Sequence, residues 1–158
     1  MVVLTVRDGR DDLGTTVTSF MSVSLEPPTV LAGISSTSYL AEVLARNDRW
    51  AATVLSARQR ALAGRFASQG RPSARILLAG DPHHRGPRTG ALIPEGGMTA
   101  LECQTRRRID TGDHTLYLAE VLATDYITED QEPLIRVKRG YVSLVEGRPS
   151  TPPGGGVR

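Results

Sequence analysis

Residues 14–25 read GTTVTSFMSVSL, and the run stops at Glu26, Pro27 and Pro28. Thr16, Thr18, Ser22 and Ser24 alternate with Val17, Met21, Val23 and Leu25, while Ser19 and Phe20 break the pattern. A period of two belongs to a strand with one polar face. Two prolines in succession remove backbone donors and end it. Residues 29–34, TVLAGI, form a second apolar run, whose lack of alternation predicts a strand buried on both faces. Short strands cut off by breakers therefore set the architecture, and the surplus of small hydroxyls on the first raises the question of what they hold.

The remaining elements fit that frame. Residues 2–6 are apolar and lead through Asp8-Gly9 towards the 14–25 strand, predicting a hairpin. Ser38 is placed to cap a helix running to Arg46, in which Leu40, Val43 and Leu44 share a face, with Asn47 and Asp48 as its stop. Residues 50–55 read as a strand. Ser56 and Gln59 form a capping box for a helix over residues 57–67, with Leu62 and Phe66 on its buried edge. Residues 68–97 are rich in Gly, Pro and Arg and are expected to be the least regular part, a loop that covers or lines something. Residues 98–109, 114–124 and 134–145 read as three strands, the first two joined by a turn at residues 110–113. Residues 147–158 form a Pro/Gly-rich tail expected to be disordered, which leaves residues 1–146 as one domain. Many short strands with two or more short helices predict a mainly β fold, a small barrel.

Charge and cysteine content exclude several classes. Nineteen basic against 17 acidic residues give a net charge of only +2, too little for a nucleic-acid footprint or a polybasic membrane patch. The one dense run, Arg106 to Arg108, reads as a solvated edge or a charge facing a cofactor. The single cysteine, Cys103, rules out an internal disulfide and a Cys-rich metal site, and its neighbours put it in a strand core. No apolar run approaches the roughly 18–20 residues of a membrane span, and the N-terminus lacks a signal-peptide pattern, so a cytoplasmic location is expected.

The common catalytic signatures are missing: no glycine-rich dinucleotide fingerprint, no phosphate-loop lysine, no H-E-x-x-H and no C-x-x-C. His83 and His84 are adjacent in the irregular segment, where two neighbouring imidazoles rarely face one metal, so no metal site is assigned. Asp113 and His114 lack a nucleophile elbow to complete a triad. One site type stands out. Ser35, Ser36, Thr37 and Ser38 immediately precede a helix, where free N–H groups and the positive dipole end favour a phosphate, although one serine would suffice as a cap.

Taken in order, residues 14–28, 30–34 (VLAGI), 50–55 (WAATVL), 65–67 (RFA), 89–94 (TGALIP), 101–103 (LEC), 112–114 (GDH) and 139–141 (RGY) resemble the flavin reductase-like family, whose fold is an FMN-binding split β-barrel. The resemblance covers residues 2–144. It implies a homodimer that binds FMN or FAD and takes hydride from NADH or NADPH, often as the reductase component serving a flavin-dependent monooxygenase. By that likeness Thr16, Val17, Thr18 and Ser19 border the flavin ring and ribityl chain, and Ser35 to Ser38 take the phosphate. His114 lies by the nicotinamide as the catalytic-site residue, and Arg139 and Tyr141 approach the same pocket. Such chemistry needs no protein nucleophile, because the cofactors carry it. Three departures stand out: the chain starts almost at the first strand where the family has a leading helix, Thr53 replaces a frequent Asn, and Val142 a frequent basic residue. They point to altered dimer contacts and nicotinamide specificity. A non-catalytic flavin carrier on the same barrel, and an oligonucleotide-binding barrel using Arg106 to Arg108, are the competing expectations.

Overall fold

The computed structural model describes residues 1–9, 11–138 and 140–142. In chain order the elements are β1 (Val2–Asp8), β2 (Asp11–Val17), β3 (Phe20–Leu25), β4 (Pro28–Ser35), α1 (Tyr39–Arg46) and β5 (Arg49–Val54). A 3-10 turn (Ala57–Gln59) leads into α2 (Arg60–Ala67), followed by α3 (Ala74–Leu77), β6 (His83–Arg85) and β7 (Leu92–Pro94). The long strands β8 (Thr99–Thr111) and β9 (His114–Ile127) precede a small hairpin, β10 (Ile135–Val137) and β11 (Gly140–Val142).

Seven strands make one antiparallel sheet in the order β2-β1-β5-β8-β9-β4-β3. Its two edge strands, β2 and β3, are consecutive in the chain and joined only by Thr18 and Ser19. The three steps from Val17 to Phe20 span at most about 11 Å, so the sheet has to curl until its edges meet at that corner. The result is a split barrel, closed at one corner and open along the rest of the seam.

That geometry corrects the single strand expected over residues 14–25. β2 pairs with β1 (Val17 opposite Val2), whereas β3 pairs with β4 (Phe20 opposite Ala32), and the chain breaks where the partner changes. Ser19 and Phe20, the two residues out of alternation, mark that change. β4 also differs from expectation. Val30, Ala32 and Ile34 are buried, but Leu31, Gly33 and Ser35 on its other face are only half-buried.

The barrel interior holds Val2, Leu4, Val6, Val17, Val30, Ala32, Ile34, Trp50, Cys103 and Tyr117, closed at one end by Leu40, Val43 and Leu44 of α1. Each fully buried aliphatic chain there contributes about 1.5–3 kcal/mol. Trp50 satisfies its Nε1–H by donating to Thr105 Oγ1 at 2.9 Å. β1 is buried on both faces, because Val3 joins a second cluster with Leu62, Ala63 and Phe66 of α2, Leu77 and Leu78. Gly14 is required at that contact: a Cβ there would lie 2.5 Å from Phe66 Cε1.

The segment 68–97 is more ordered than its composition predicts, since it contains α3 and the β6–β7 hairpin. Its anchor is Asp12, wholly buried on β2, which receives Arg85 in a fork (2.9 and 2.8 Å) and Arg75 at 2.5 Å. Residues 57–59 form a 3-10 turn rather than the start of an α-helix. The Ser56–Gln59 capping box forms as expected, with Gln59 Oε1 accepting from the Ser56 N–H at 3.1 Å, and the Ser56 hydroxyl also donates to Gly96 O at 2.8 Å. Instead of one strand over 134–145, the described residues there form the β10–β11 hairpin. Arg139 and the tail from residue 147, with the domain boundary before it, lie outside the described residues. Among the described residues no helix is long and apolar enough to cross a membrane.

Candidate functional site

The seam of the barrel brings the two hydroxyl-rich segments together. At its corner the Gly33 N–H donates to Ser19 O at 2.8 Å, and a Cβ at Gly33 would lie 2.9 Å from Ser19 Cβ. The 16–19 segment is thus set directly against β4, whose last residue is Ser35. Thr18 and Ser19 are exposed and Thr16 is half-buried, but the Val17 side chain belongs to the barrel interior, leaving only its backbone for a ligand.

The four hydroxyls at 35–38 do different things. Ser38 is the α1 cap: its Oγ accepts from Ala41 N at 3.2 Å and donates to Ser35 O at 2.8 Å. Ser36 Oγ lies 3.1 Å from Thr115 Oγ1, and its N–H donates to Asp113 O at 2.9 Å, tying this turn to the neighbouring hairpin. Ser35 and Thr37 share one bond of 3.3 Å between their hydroxyls. Structural duties therefore occupy Ser36 and Ser38, and Ser35 and Thr37 keep capacity for a ligand.

Beside them is a cavity of about 470 Å³ lined by Leu13, Gly14, Thr37, Ser38, Tyr39, Leu40 and the loop 69–72. The sequence alone does not single out Arg71 of that loop, one arginine among many in a segment without periodicity. Its Nε donates to Gly14 O at 2.6 Å and its Nη1 to Ser68 O at 3.3 Å. Burial holds its pKa below the ordinary arginine value, and among the described residues no carboxylate pairs with it.

His114 opens β9 directly opposite Ser35 in the β4–β9 ladder. Its Nδ1 lies 3.0 Å from the Asp113 carboxylate, and the hydrogen bond from His114 holds the Asp113 pKa below the usual aspartate value. With Nδ1 so engaged, Nε2 is the nitrogen left for a ligand. Gly112, at φ 78°, takes the left-handed turn that reverses β8 into β9. Thr111 and Thr115 brace the turn through bonds to His114 O (2.8 Å) and Asp110 Oδ1 (3.1 Å).

Other candidates lie elsewhere. Tyr141 packs against the outer cluster under α2, with the Arg60 guanidinium 5.5 Å from its ring centroid. His84 bridges Glu95 (3.1 Å) and Asp125 (2.8 Å), and among the described residues no group of three ligating side chains could hold a metal. Arg106 is paired with Glu120, and Arg108 donates to Ala45 O at 3.0 Å, so two of the three clustered arginines serve the fold.

The sequence and the barrel fold are matched in known proteins. Residues 1–145 match the flavin reductase like domain. The chain belongs to that family. An NADH-dependent FMN reductase of Streptomyces nodosus subsp. asukaensis is 33% identical over 147 residues, covering 91% of this chain and 77% of the relative. The reductase component of the 4-hydroxyphenylacetate 3-monooxygenase of Thermus thermophilus is 32% identical over 145 residues, covering 92% and 88%. Among solved structures, the flavin reductase component of a bacterial two-component tryptophan halogenase superposes with a TM-score of 0.83 at 27% identity, covering 90% of this chain and 88% of that one. An NADH:FAD oxidoreductase of Streptomyces globisporus, solved with NAD and FAD fragments, gives a TM-score of 0.81 at 28% identity, covering 96% and 84%. The flavin reductase split barrel is therefore the fold of this chain.

Proposed function

We propose that this protein is an NADH-dependent flavin reductase that passes reduced FMN or FAD to a partner monooxygenase. The observation that carries the reading is the family match from end to end of the barrel, with relatives named as NADH-dependent reductases and as a monooxygenase component. The residues at the seam fit a phosphorylated flavin: an open corner at residues 16–19, hydroxyls on Ser35 and Thr37 with capacity beyond their mutual bond, and an arginine with no carboxylate partner among the described residues.

When bound, the flavin supplies the hydride acceptor, and this chain supplies position. The Gly33–Ser19 contact fixes the corner that borders the ring. The ladder pairing of Ser35 with His114 holds the nicotinamide side close to the phosphate side. His114, oriented by Asp113, presents Nε2 to bind the nicotinamide group. Pre-orienting reacting atoms about 3–3.5 Å apart is worth up to about 7–11 kcal/mol of a barrier.

Homodimer formation is part of the proposal. Edge strand β3 exposes Met21, Val23 and Leu25 (56%, 51% and 91%), an apolar row on an unpaired edge that a second copy would cover. Sedimentation of the wild type and of M21K/L25K tests it; an unchanged dimer in the variant removes β3 from the interface. A cytoplasmic location, where NADH is available, is part of the same proposal. Mixing the purified protein with NADH and free FMN or FAD is expected to give flavin-dependent NADH oxidation. Its absence with every flavin and nucleotide pairing would overturn the function.

A further inference from the structure

We propose that Arg71 is the residue by which this protein selects phosphorylated flavins over riboflavin, an assignment that rests on the seam being a flavin site. Hydroxyls alone carry no charge. Of the four at residues 35–38, Ser38 is spent on the helix cap and Ser36 on Thr115, so the cluster by itself offers little to a phosphate. The charge comes from 33 residues further along the chain than Ser38, where Arg71 lines the same 470 Å³ cavity as Thr37 and Ser38.

Two features separate Arg71 from an ordinary structural arginine. Its Nε and Nη1 are held by the carbonyls of Gly14 and Ser68, which aim the guanidinium without neutralising it. Asp12 and Asp81 instead satisfy Arg75, Arg85 and Arg65 in the same region, leaving Arg71 with backbone partners and no counter-ion among the described residues. A half-buried guanidinium without a carboxylate is stabilised by an anion, and its planar fork suits phosphate oxygens. Leu13, Leu40 and Pro72 line the same cavity, and their apolar surface lowers the local dielectric, which strengthens an ion pair there. The shared chemistry is a phosphate ester, and the flavin is its source because Gly14, which Arg71 holds, lies on β2 just before the 16–19 corner.

The test compares riboflavin, FMN and FAD as acceptors for the full-length wild type, R71A and R71K at saturating NADH, with KM for NADH measured separately. R71A is expected to raise KM for FMN and FAD about tenfold, with kcat and riboflavin KM within about twofold, and R71K to recover part of the loss. An equal rise for riboflavin would reduce Arg71 to a strap between β2 and its loop. A rise confined to KM for NADH would assign the phosphate to the nucleotide, and an unchanged KM for FMN would remove the role; each overturns the proposal. R71Q, which removes the charge but keeps a side-chain N–H donor, reads the same ratios if R71A fails to fold. Equilibrium dialysis with FMN alone separates the two levels: if the wild type reduces no flavin, the function fails, yet FMN binding weakened by R71A still supports the assignment and equal binding overturns it.

Discussion

Ser35 and His114 face each other as ladder partners between β4 and β9, so the last hydroxyl-bearing residue of one strand and the first residue of the other share one position on the barrel rim. Seventy-nine residues separate them in the chain. Their pairing joins the hydroxyl-rich turn at residues 35–38 to the His114 hairpin through the backbone of the sheet.

Replacing His114 should therefore change turnover without changing the fold, because its side chain is 47% exposed and its backbone makes the structural bonds. H114A is expected to lower kcat/KM for NADH by roughly tenfold, about 1.4 kcal/mol, with KM for flavin little altered. Steady-state kinetics varying NADH at fixed FMN measure it. Unchanged NADH parameters would remove His114 from the site.

Gly33 has no room for a side chain. G33A places a Cβ against Ser19 and is expected to push the 18–19 corner outwards, costing about 1–3 kcal/mol of stability and weakening flavin binding more than NADH use. Chemical denaturation and a flavin titration read the two effects separately. A variant with wild-type flavin affinity would show that the corner does not border the ligand.

The Asp12 cluster is expected to matter for stability rather than activity. R85A removes a forked pair from a buried carboxylate but leaves Arg75, so a loss of about 1–3 kcal/mol is expected in urea unfolding. Burial alone would raise the Asp12 pKa, yet the bonds from Arg85 and Arg75 outweigh it and the folded value lies below 3.8. The contribution is thus complete above the unfolded value near 3.8 and is lost as pH falls through the folded one. Acid unfolding should begin at higher pH in R85A than in the wild type.

His84 has the opposite sign. Burial alone would lower its pKa, but the bonds to Glu95 and Asp125 prevail and raise it above 6.5. Its stabilisation is complete below the unfolded value of 6.5 and fades as pH rises through the folded one. Because the side chain is 37% exposed, solvent screening keeps the effect small. Thermal melts across that range should show the wild type losing Tm relative to H84Q as pH increases; parallel curves would contradict the clamp.

Much of the barrel was legible in local sequence. The α1 cap at Ser38, its stop at Asn47 and the β8–β9 turn occur where the residues predict them, because caps and turns depend on near neighbours. The corner at Ser19 and Phe20 was visible as a broken alternation but read as one strand, since a strand's pairing partner does not enter its own periodicity. The ordered structure within residues 68–97 was hidden for the same reason: Asp12, from a different strand, is what organises Arg75 and Arg85.

The sequence by itself determined a mainly β chain with short helices, the two hydroxyl-rich segments, the histidine after a glycine turn, and the family to which their order belongs. Tertiary structure alone decided which of those hydroxyls keep capacity for a ligand, that Val17 turns into the core, that Tyr141 packs on the outer cluster, and that Arg71 lines the same cavity as Thr37. Local propensity is set by residues within a few positions, whereas a binding site is made by strand pairing and loop packing between residues far apart in the chain, and only the closed fold specifies those neighbours.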